Sequence, residues 1–294
     1  MTWKFENYMD RCKPSDPALD YCLWPYVRPN AEANYALRTS TLLYHSFHVA
    51  GVSERMIGVC EAIRKAFGRF NVVWGIKWAG ERLSWEFYFY DYKRADRVNG
   101  VADFIKATEG FLHCHLVPDD SKPYFMFSVE FDDRHANGER DIEQIDIYMG
   151  NPGSSVSSGI CYGLNASGYE MRNFYFFFDA EAERKAIINK LAETIYLPFQ
   201  EKTIDQLIWP EMAGVKTIVI ANKRHRDSLY FSRIEVGQLI LFMDRLNFPK
   251  AMISFVNKNK GSFAHHLFDV GYDYDISEDG QSLIYQKGGY YGLL

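Results

Sequence analysis

The feature that most constrains the fold of this chain is a unit of two short strands and a helix that occurs three times. In each unit a tight turn joins the strands, the second strand is aromatic, and a helical segment follows. The aromatic strands align at Phe87-Tyr88-Phe89, Phe174-Tyr175-Phe176 and Leu229-Tyr230-Phe231. Aromatic strands can resemble one another by chance. The recurrence of turn, strand and helix in one order favours a true repeat, in which neighbouring units bury each other's apolar faces.

The bounds of the three units follow from hydrophobic spacing. Strand pairs are predicted at residues 72–78 and 83–90, at 159–164 and 170–178, and at 217–221 and 228–231. After each pair, apolar residues recur three or four positions apart, which indicates a helix with one buried face. Asp179 is predicted to cap the second of these helices, and Ser232 with Glu235 forms a capping box for the third.

Further strands complete the predicted sheet. Two lie between the first and second units, at residues 124–131 and 142–149, and three follow the third unit, at 251–257, 263–274 and 283–285. The fold class is therefore α+β, with about ten antiparallel strands and helices between the hairpins. Such a set can stay open with helices on one face, or close into a barrel surrounded by helices. Closure removes exposed strand edges, so we expect the barrel.

Alternation of side chains divides the strands into a polar and an apolar face. The apolar face of one strand holds Trp85, Phe87 and Phe89, and the polar faces of two strands hold Ser84, Glu86, Tyr88 and Tyr90, and Gln144, Asp146 and Tyr148. The polar faces of an antiparallel sheet can simply meet solvent. Tyrosines beside a carboxylate suit a wet pocket inside a barrel better, with the apolar faces under the helices.

Composition restricts the possible partners. The chain of 294 residues carries 22 Phe, 20 Tyr and 6 Trp, together 16% of its residues. Aromatic side chains fill cores and also line pockets for flat or cationic ligands. A net charge of −5 without a basic stripe argues against nucleic acid as a partner. No apolar stretch approaches the roughly 18 residues that would indicate a membrane span.

The N-terminus and the cysteines indicate a cytoplasmic protein, which we expect to be a monomer. Residues 1–30 contain four prolines and are predicted to form an irregular leader packed on a single barrel domain of residues 31–294. The N-terminus lacks the apolar core of a signal peptide. The five cysteines are scattered and form no CxxC motif, so we expect reduced thiols rather than a disulfide framework.

Two stretches of polar residues can be considered as possible ligand sites. The basic hairpin tip at residues 223–226 is either a solvated turn or a contact for an anion. His265 and His266 are predicted to lie within a strand. Neighbouring side chains of a strand point to opposite faces, so this pair is not expected to chelate a metal ion.

Three short stretches resemble a known family. They are DSLYFS at residues 227–232, a helix ending in FMDRL at 242–246, and the last strand LIYQKGGYY at 283–291. They are similar to the later repeats of the soluble aromatic prenyltransferases with the α-β-β-α (ABBA) barrel. The resemblance implies a ten-stranded barrel whose solvated lumen holds an allylic diphosphate and an aromatic acceptor. It also implies a role in secondary metabolism.

The same resemblance assigns roles to acidic and aromatic residues. Glu86 falls where some family members place an acid that assists a Mg²⁺ ion. Glu86 and Asp146 are the candidates for orienting the acceptor or removing its ring proton. Tyr88, Tyr148 and Ser254 are expected to contact the substrate, with aromatic faces shielding the allylic cation.

For the diphosphate, the resemblance implies a set of cations and hydroxyls, namely Lys77, Lys216, Tyr175, Tyr230 and Gln286. In the family the last strand offers a lysine to the lumen, and Gln286 aligns with that position. Lys287 is one residue later and points outward unless a β-bulge re-aims it. The alternative function is a non-catalytic barrel that binds a flat hydrophobic ligand or a protein partner. Three or more convergent basic residues in the lumen favour the enzyme, and two or fewer favour the binder.

Overall fold

A closed antiparallel barrel of ten strands is the centre of the structure. The structure is a computed structural model that describes residues 3–29, 36–93, 97–151, 156–194, 204–224, 226–276 and 282–294. The strands are β1 (Val72–Trp78), β2 (Leu83–Tyr90), β3 (Met126–Phe131), β4 (Ile145–Gly150), β5 (Ser158–Asn165), β6 (Gly168–Asp179), β7 (Thr217–Lys223), β8 (Asp227–Glu235), β9 (Leu267–Ile276) and β10 (Leu283–Leu293). Each strand pairs with its neighbours in the chain, and β1 closes the ring on β10. The predicted closed barrel is thereby confirmed, and the open sheet is wrong.

Helices surround the barrel. Those in the described residues are α1 (Ser40–Ala50), α2 (Glu54–Phe67), α3 (Val101–Thr108), α4 (Asp133–Ala136), α5 (Arg184–Ala192), α6 (Ile204–Leu207), α7 (Val236–Arg245), α8 (Lys250–Lys258) and α9 (Lys260–Phe263). Two short 3₁₀ helices lie at Phe5–Tyr8 and Pro210–Met212. The three predicted repeat units correspond to the hairpins β1–β2, β5–β6 and β7–β8, followed by α3, α5 and α7. No helix in these segments is long and apolar enough to cross a membrane.

The apolar strand faces pack outward against the helices. On β2, Phe89 stacks on Phe127 of β3 with ring centroids 4.6 Å apart, and Phe104 of α3 lies 5.3 Å from Phe89. The indole of Trp85 is buried and donates a hydrogen bond to Ser46 of α1 at 2.8 Å. The main hydrophobic core therefore lies between sheet and helices, and the opposite strand face is left to line the lumen.

Three local predictions differ from the structure. Residues 251–257 form helix α8 rather than a strand, because Met252 and Val256 lie one helical turn apart and are both buried. β8 continues to Glu235, with Arg233 at a positive φ of 65° where the register shifts, so the cap of α7 is Glu235 with Gln238. Asp179 ends β6 and the N-cap of α5 is Glu183.

Residues 3–29, here called the N-terminal segment, contact the barrel at the end opposite the hairpin turns. Arg233 of β8 donates to Asp20 at 2.8 Å, and the backbone N–H of Tyr21 donates to Asp269 of β9 at 2.8 Å. These contacts place the Tyr21 ring inside the barrel, 4.8 Å from the ring of Tyr291. One end of the lumen is therefore closed by a residue from outside the repeats.

Candidate active site

The inward strand faces line a cavity of about 770 Å³. This is the size of a pocket for a small organic ligand. Most charged side chains of the lumen lie toward the hairpin-turn end, and tyrosines lie toward the end where Tyr21 enters, together with Asp20 and Asp269. Exposed arginines, among them Arg82 and Arg224, stand at the turn end. The lumen is thus graded along its axis from charged to aromatic.

Tyrosines form a continuous lining in the deep part of the cavity. The ring of Tyr175 lies 5.8 Å from that of Tyr148 and 6.3 Å from that of Tyr230, and Tyr88 lies 5.1 Å from Tyr21. Burial raises the pKa of Tyr88, Tyr148 and Tyr175 well above the ordinary tyrosine value. These side chains are therefore neutral at physiological pH and present both ring faces and hydroxyls to a ligand. The aligned tyrosines of the three repeats meet in one cavity.

Two inward glycines make room for these rings. Gly271 is paired with Tyr230 across β8 and β9, and a Cβ on Gly271 would overlap the Tyr230 ring. Gly75 is paired with Tyr291, and a Cβ there would lie 2.7 Å from a ring carbon of Tyr291. Glycine within a strand often marks such a close approach.

Glu86 is the centre of a buried hydrogen-bond network. Its carboxylate forms an ion pair with Lys77 and accepts hydrogen bonds from the hydroxyls of Tyr88, at 2.6 Å, and Ser128. The Ser128 hydroxyl also lies 3.3 Å from that of Tyr148. The strand register explains the cluster, because Tyr88 pairs with Ser128 and Ser128 with Asp146. The network connects the charged part of the lumen with the tyrosine lining.

Asp146 is a second inward carboxyl group with an unusual environment. Gln144 donates to it at 2.6 Å, and the Nε atom of Arg172 lies 3.9 Å away. Burial and the nearby Glu86 carboxylate raise the pKa of Asp146 to about 6. A carboxylate with a pKa near the working pH can accept a proton more effectively than an ordinary aspartate.

Three lysines converge near the turn end of the lumen. Lys77 lies 2.9 Å from Glu130, Lys287 lies 3.5 Å from the same carboxylate, and Lys223 lies 2.7 Å from Asp273. Burial alone would lower the pKa of Lys77, but Glu130 and Glu86 raise it. Burial and the neighbouring Lys77 lower the pKa of Lys287. Lys287 is therefore the lysine whose positive charge is least offset by its surroundings.

Three predicted site residues lie elsewhere. The ammonium of Lys216 forms an ion pair with Asp179 and is more than half exposed, outside the residues that line the cavity. Ser254 is exposed on helix α8, which packs outside the barrel. Gln286 is exposed because the register of β10 shifts between Tyr285 and Lys287. This β-bulge turns Lys287 into the lumen in its place.

The lining residues that the sequence did not indicate include Tyr21, Glu130, Arg172 and Asp273. Lys287 was expected in the lumen only through a β-bulge, and Lys223 only as part of a hairpin tip that is either solvated or an anion contact. Strand parity could have identified Lys223, because a prediction of β7 extended by two residues places Val219, Ala221 and Lys223 on one face. The entry of Tyr21 into the lumen depends on tertiary contacts of the N-terminal segment, for which the sequence carries no local signal.

The acidic residues of the lumen are a poor fit for a Mg²⁺ ion. Both Glu86 oxygens already accept bonds from hydroxyls or pair with Lys77, and Glu130 accepts bonds from Lys77 and Ser84. Mg²⁺ needs its oxygen ligands in near-octahedral positions, and these oxygens are held by other donors. Among the described residues, the only cluster of three possible metal ligands lies outside this cavity. The lumen carboxylates are therefore not assigned to a metal ion.

Comparison with known proteins supports the fold assignment. The crystal structure of NotF prenyltransferase matches with a TM-score of 0.55 and 10% sequence identity, over 86% of this chain and 92% of that chain. No protein-family model matches the sequence, and no curated protein does. The chain therefore has an ABBA-barrel, prenyltransferase-like fold. At this identity the likeness concerns the fold alone.

Proposed function

We propose that this protein transfers a prenyl group from an allylic diphosphate to an aromatic small molecule. The observation that carries the proposal is the position of Lys77, Lys223 and Lys287 at one end of a lumen lined with tyrosine. A diphosphate needs several cations, and a prenyl chain needs an apolar, aromatic environment. The prenyltransferase-like barrel supplies both along one axis.

The first step is ionisation of the donor. The bond between the allylic carbon and the diphosphate oxygen breaks, and both electrons leave with the pyrophosphate. Lys77, Lys223 and Lys287 stabilise the charge that develops on the leaving group, as fixed cations do in water-poor sites. Arg172 lies on the same side of the cavity and adds a fourth positive group.

The second requirement is protection of the allylic cation. Tyr88, Tyr148, Tyr175 and Tyr230 surround the deep part of the lumen, and their ring faces attract a cation. The Tyr21 ring covers part of that end, which limits the access of water to the cation. The cation is then captured by the aromatic acceptor rather than hydrolysed.

The third step is attack by the acceptor. A ring carbon of the acceptor forms the new bond to the prenyl carbon, and the ring proton at that carbon must then leave. Asp146 is the proton acceptor in this proposal, because its pKa of about 6 suits a base at neutral pH. Glu86 orients the acceptor through its network with Tyr88 and Ser128.

The pH dependence of turnover tests the role of Asp146. The carboxyl is protonated below its pKa of about 6 and cannot accept the ring proton, so turnover should rise between pH 5 and 7 and then level. The measurement is pyrophosphate release from dimethylallyl diphosphate with a panel of hydroxylated aromatics and indoles. Asp146→Asn should lower turnover about 10²-fold or more and remove this acid limb. If turnover of this variant still rises between pH 5 and 7, another group accepts the ring proton.

One observation favours a second candidate function. Each lumen lysine has a carboxylate partner, so the positive charge available to a diphosphate is partly neutralised. A neutral, tyrosine-lined lumen would also suit a non-catalytic barrel that binds a flat hydrophobic ligand. The two functions differ in one property, because only the transferase requires binding of the diphosphate.

A further inference from the structure

A cluster of one cysteine and two histidines lies outside the lumen. The Cys12 sulfur is 3.2 Å from the Nε2 atom of His265 and 3.8 Å from that of His266. One ligand atom from each of the three residues lies within 4.8 Å of the others. None of the three lines the large cavity, so the cluster has no part in the proposed transfer reaction.

The local fold explains why both histidines face the cysteine. They lie in the turn between helix α9 and strand β9, where the strict alternation of a strand does not apply. Their ring centroids are 3.8 Å apart. The sequence-based expectation that they point to opposite faces is therefore wrong. Cys12 is fixed opposite them, because its N–H donates to the Ala36 carbonyl at 2.8 Å and neighbouring Arg11 bridges to Leu37.

The spacing matches the ligand shell of a tetrahedral zinc ion. With Zn–S near 2.3 Å and Zn–N near 2.0 Å, sulfur and nitrogen ligands are about 3.5 Å apart. The two sulfur–nitrogen distances lie on either side of that value, and all three ligand atoms lie within 4.8 Å of one another. Thiolate and neutral imidazole are also the ligand types that zinc prefers.

A hydrogen bond from the Cys12 thiol to His265 is the simpler explanation of the contact, but it does not account for two further facts. The Nε2 atom of the second histidine, His266, also faces the sulfur. A small cavity of about 30 Å³ lies beside Cys12 and His266, and it is large enough for a water molecule. In zinc sites with an open position, three protein ligands are completed by a water molecule.

The surrounding charged groups are paired with one another. Arg38 pairs with Asp10 at 2.6 Å and with Asp16 at 2.7 Å, Arg69 pairs with Asp10 at 2.8 Å, and Arg28 donates to the backbone carbonyl of Asp16. A divalent ion bound by one thiolate adds a single positive charge to this network. His266 Nε2 lies 3.0 Å from the Leu37 carbonyl, so its proton moves to Nδ1 when Nε2 binds a metal.

We propose that Cys12, His265 and His266, with one water molecule, bind a Zn²⁺ ion that fastens the N-terminal segment to the barrel. Binding forms the Zn–S bond and displaces the thiol proton of Cys12 to solvent. The ion joins residues more than 250 positions apart in the chain. Cys12 lies nine residues before Tyr21, whose ring enters one end of the lumen. By fixing Cys12, the ion also holds Tyr21 at that end of the barrel.

Cobalt provides a direct test, because thiolate-bound tetrahedral Co²⁺ absorbs strongly in the near ultraviolet and the visible. The full chain, treated with a chelator and then desalted, is titrated with Co²⁺ and afterwards with Zn²⁺. We expect one equivalent of Co²⁺ to give both absorptions and Zn²⁺ to remove them. The melting temperature of the chain should rise with Zn²⁺.

Matched variants locate the site. Cys12→Ser should abolish the near-ultraviolet band and weaken Zn²⁺ binding at least tenfold, and His265→Gln should weaken it similarly. Cys114→Ser is the control, because Cys114 is a half-buried free cysteine outside the cluster, and it should behave as the parent chain. Absence of the band in the folded parent chain, or its persistence in Cys12→Ser, would overturn the proposal.

Discussion

Replacing Lys287 by alanine is expected to weaken binding of a dimethylallyl diphosphate analogue by about one to two decades. Each charge-assisted hydrogen bond to phosphate contributes about 1.5–3 kcal/mol, which corresponds to about that change in the dissociation constant. Lys287 is a favourable choice for the test, because Glu130 keeps its pairing with Lys77 when Lys287 is removed. The fold should therefore tolerate the change. The binding is measured by calorimetry with the unreactive thiolodiphosphate.

A second substitution and a control sharpen this result. The double variant Lys77→Gln, Lys287→Ala should lose detectable binding, since glutamine keeps a hydrogen bond to Glu86 but not the charge. Lys216→Ala is the matched control, because Lys216 pairs with Asp179 outside the cavity. It should bind the analogue as the parent chain does. Equal losses in Lys216→Ala and Lys287→Ala would show that the lumen lysines do not hold the diphosphate.

Glu86→Gln is expected to reduce turnover by about 10²- to 10⁴-fold, the range of a lost acid–base or orienting group. Donor affinity should stay the same or increase, because Lys77 then has one carboxylate neighbour fewer. The amide is close in shape and can still accept the hydrogen bond from Tyr88. Turnover is measured as pyrophosphate release, and donor affinity by the same calorimetry as above.

The control for this variant is Glu139→Gln, since Glu139 is exposed, pairs only weakly with Arg134 at 3.9 Å and does not line the cavity. It should leave both quantities unchanged. A Glu86→Gln protein that loses donor binding in the presence of Mg²⁺ would instead show that the carboxylate holds the metal ion. The account of Glu86 as a residue that positions the acceptor would then be wrong.

The barrel and the polarity of its lumen could be predicted because they depend on local periodicity. Alternation along β2 placed Glu86 and Tyr88 inside and Trp85 outside, and three aligned hairpins implied equivalent positions around one axis. Such patterns are repeated many times in the sequence, so single errors do not change the result. Helix α8, predicted as a strand, left the ring of ten strands intact.

The diphosphate site was harder to predict because it depends on single irregular positions. One β-bulge decides that Lys287 rather than Gln286 faces the lumen. Lys223 points into the lumen only because β7 extends two residues beyond its predicted end. The burial of Tyr21 depends on contacts with β8 and β9 that are far away in the chain. The β-bulge and the position of Tyr21 have no periodic signal, and the end of β7 is not fixed by one.

The most direct test of the transferase proposal is a calorimetric titration of the unmodified chain with thiolodiphosphate analogues of dimethylallyl and geranyl donors, with and without Mg²⁺. The account predicts saturable binding at one site, without a requirement for Mg²⁺, that is lost in the Lys77→Gln, Lys287→Ala variant. No binding of either analogue under either condition, together with saturable binding of uncharged aromatic molecules, would contradict it. The chain would then be a ligand-binding barrel without a site for the leaving group.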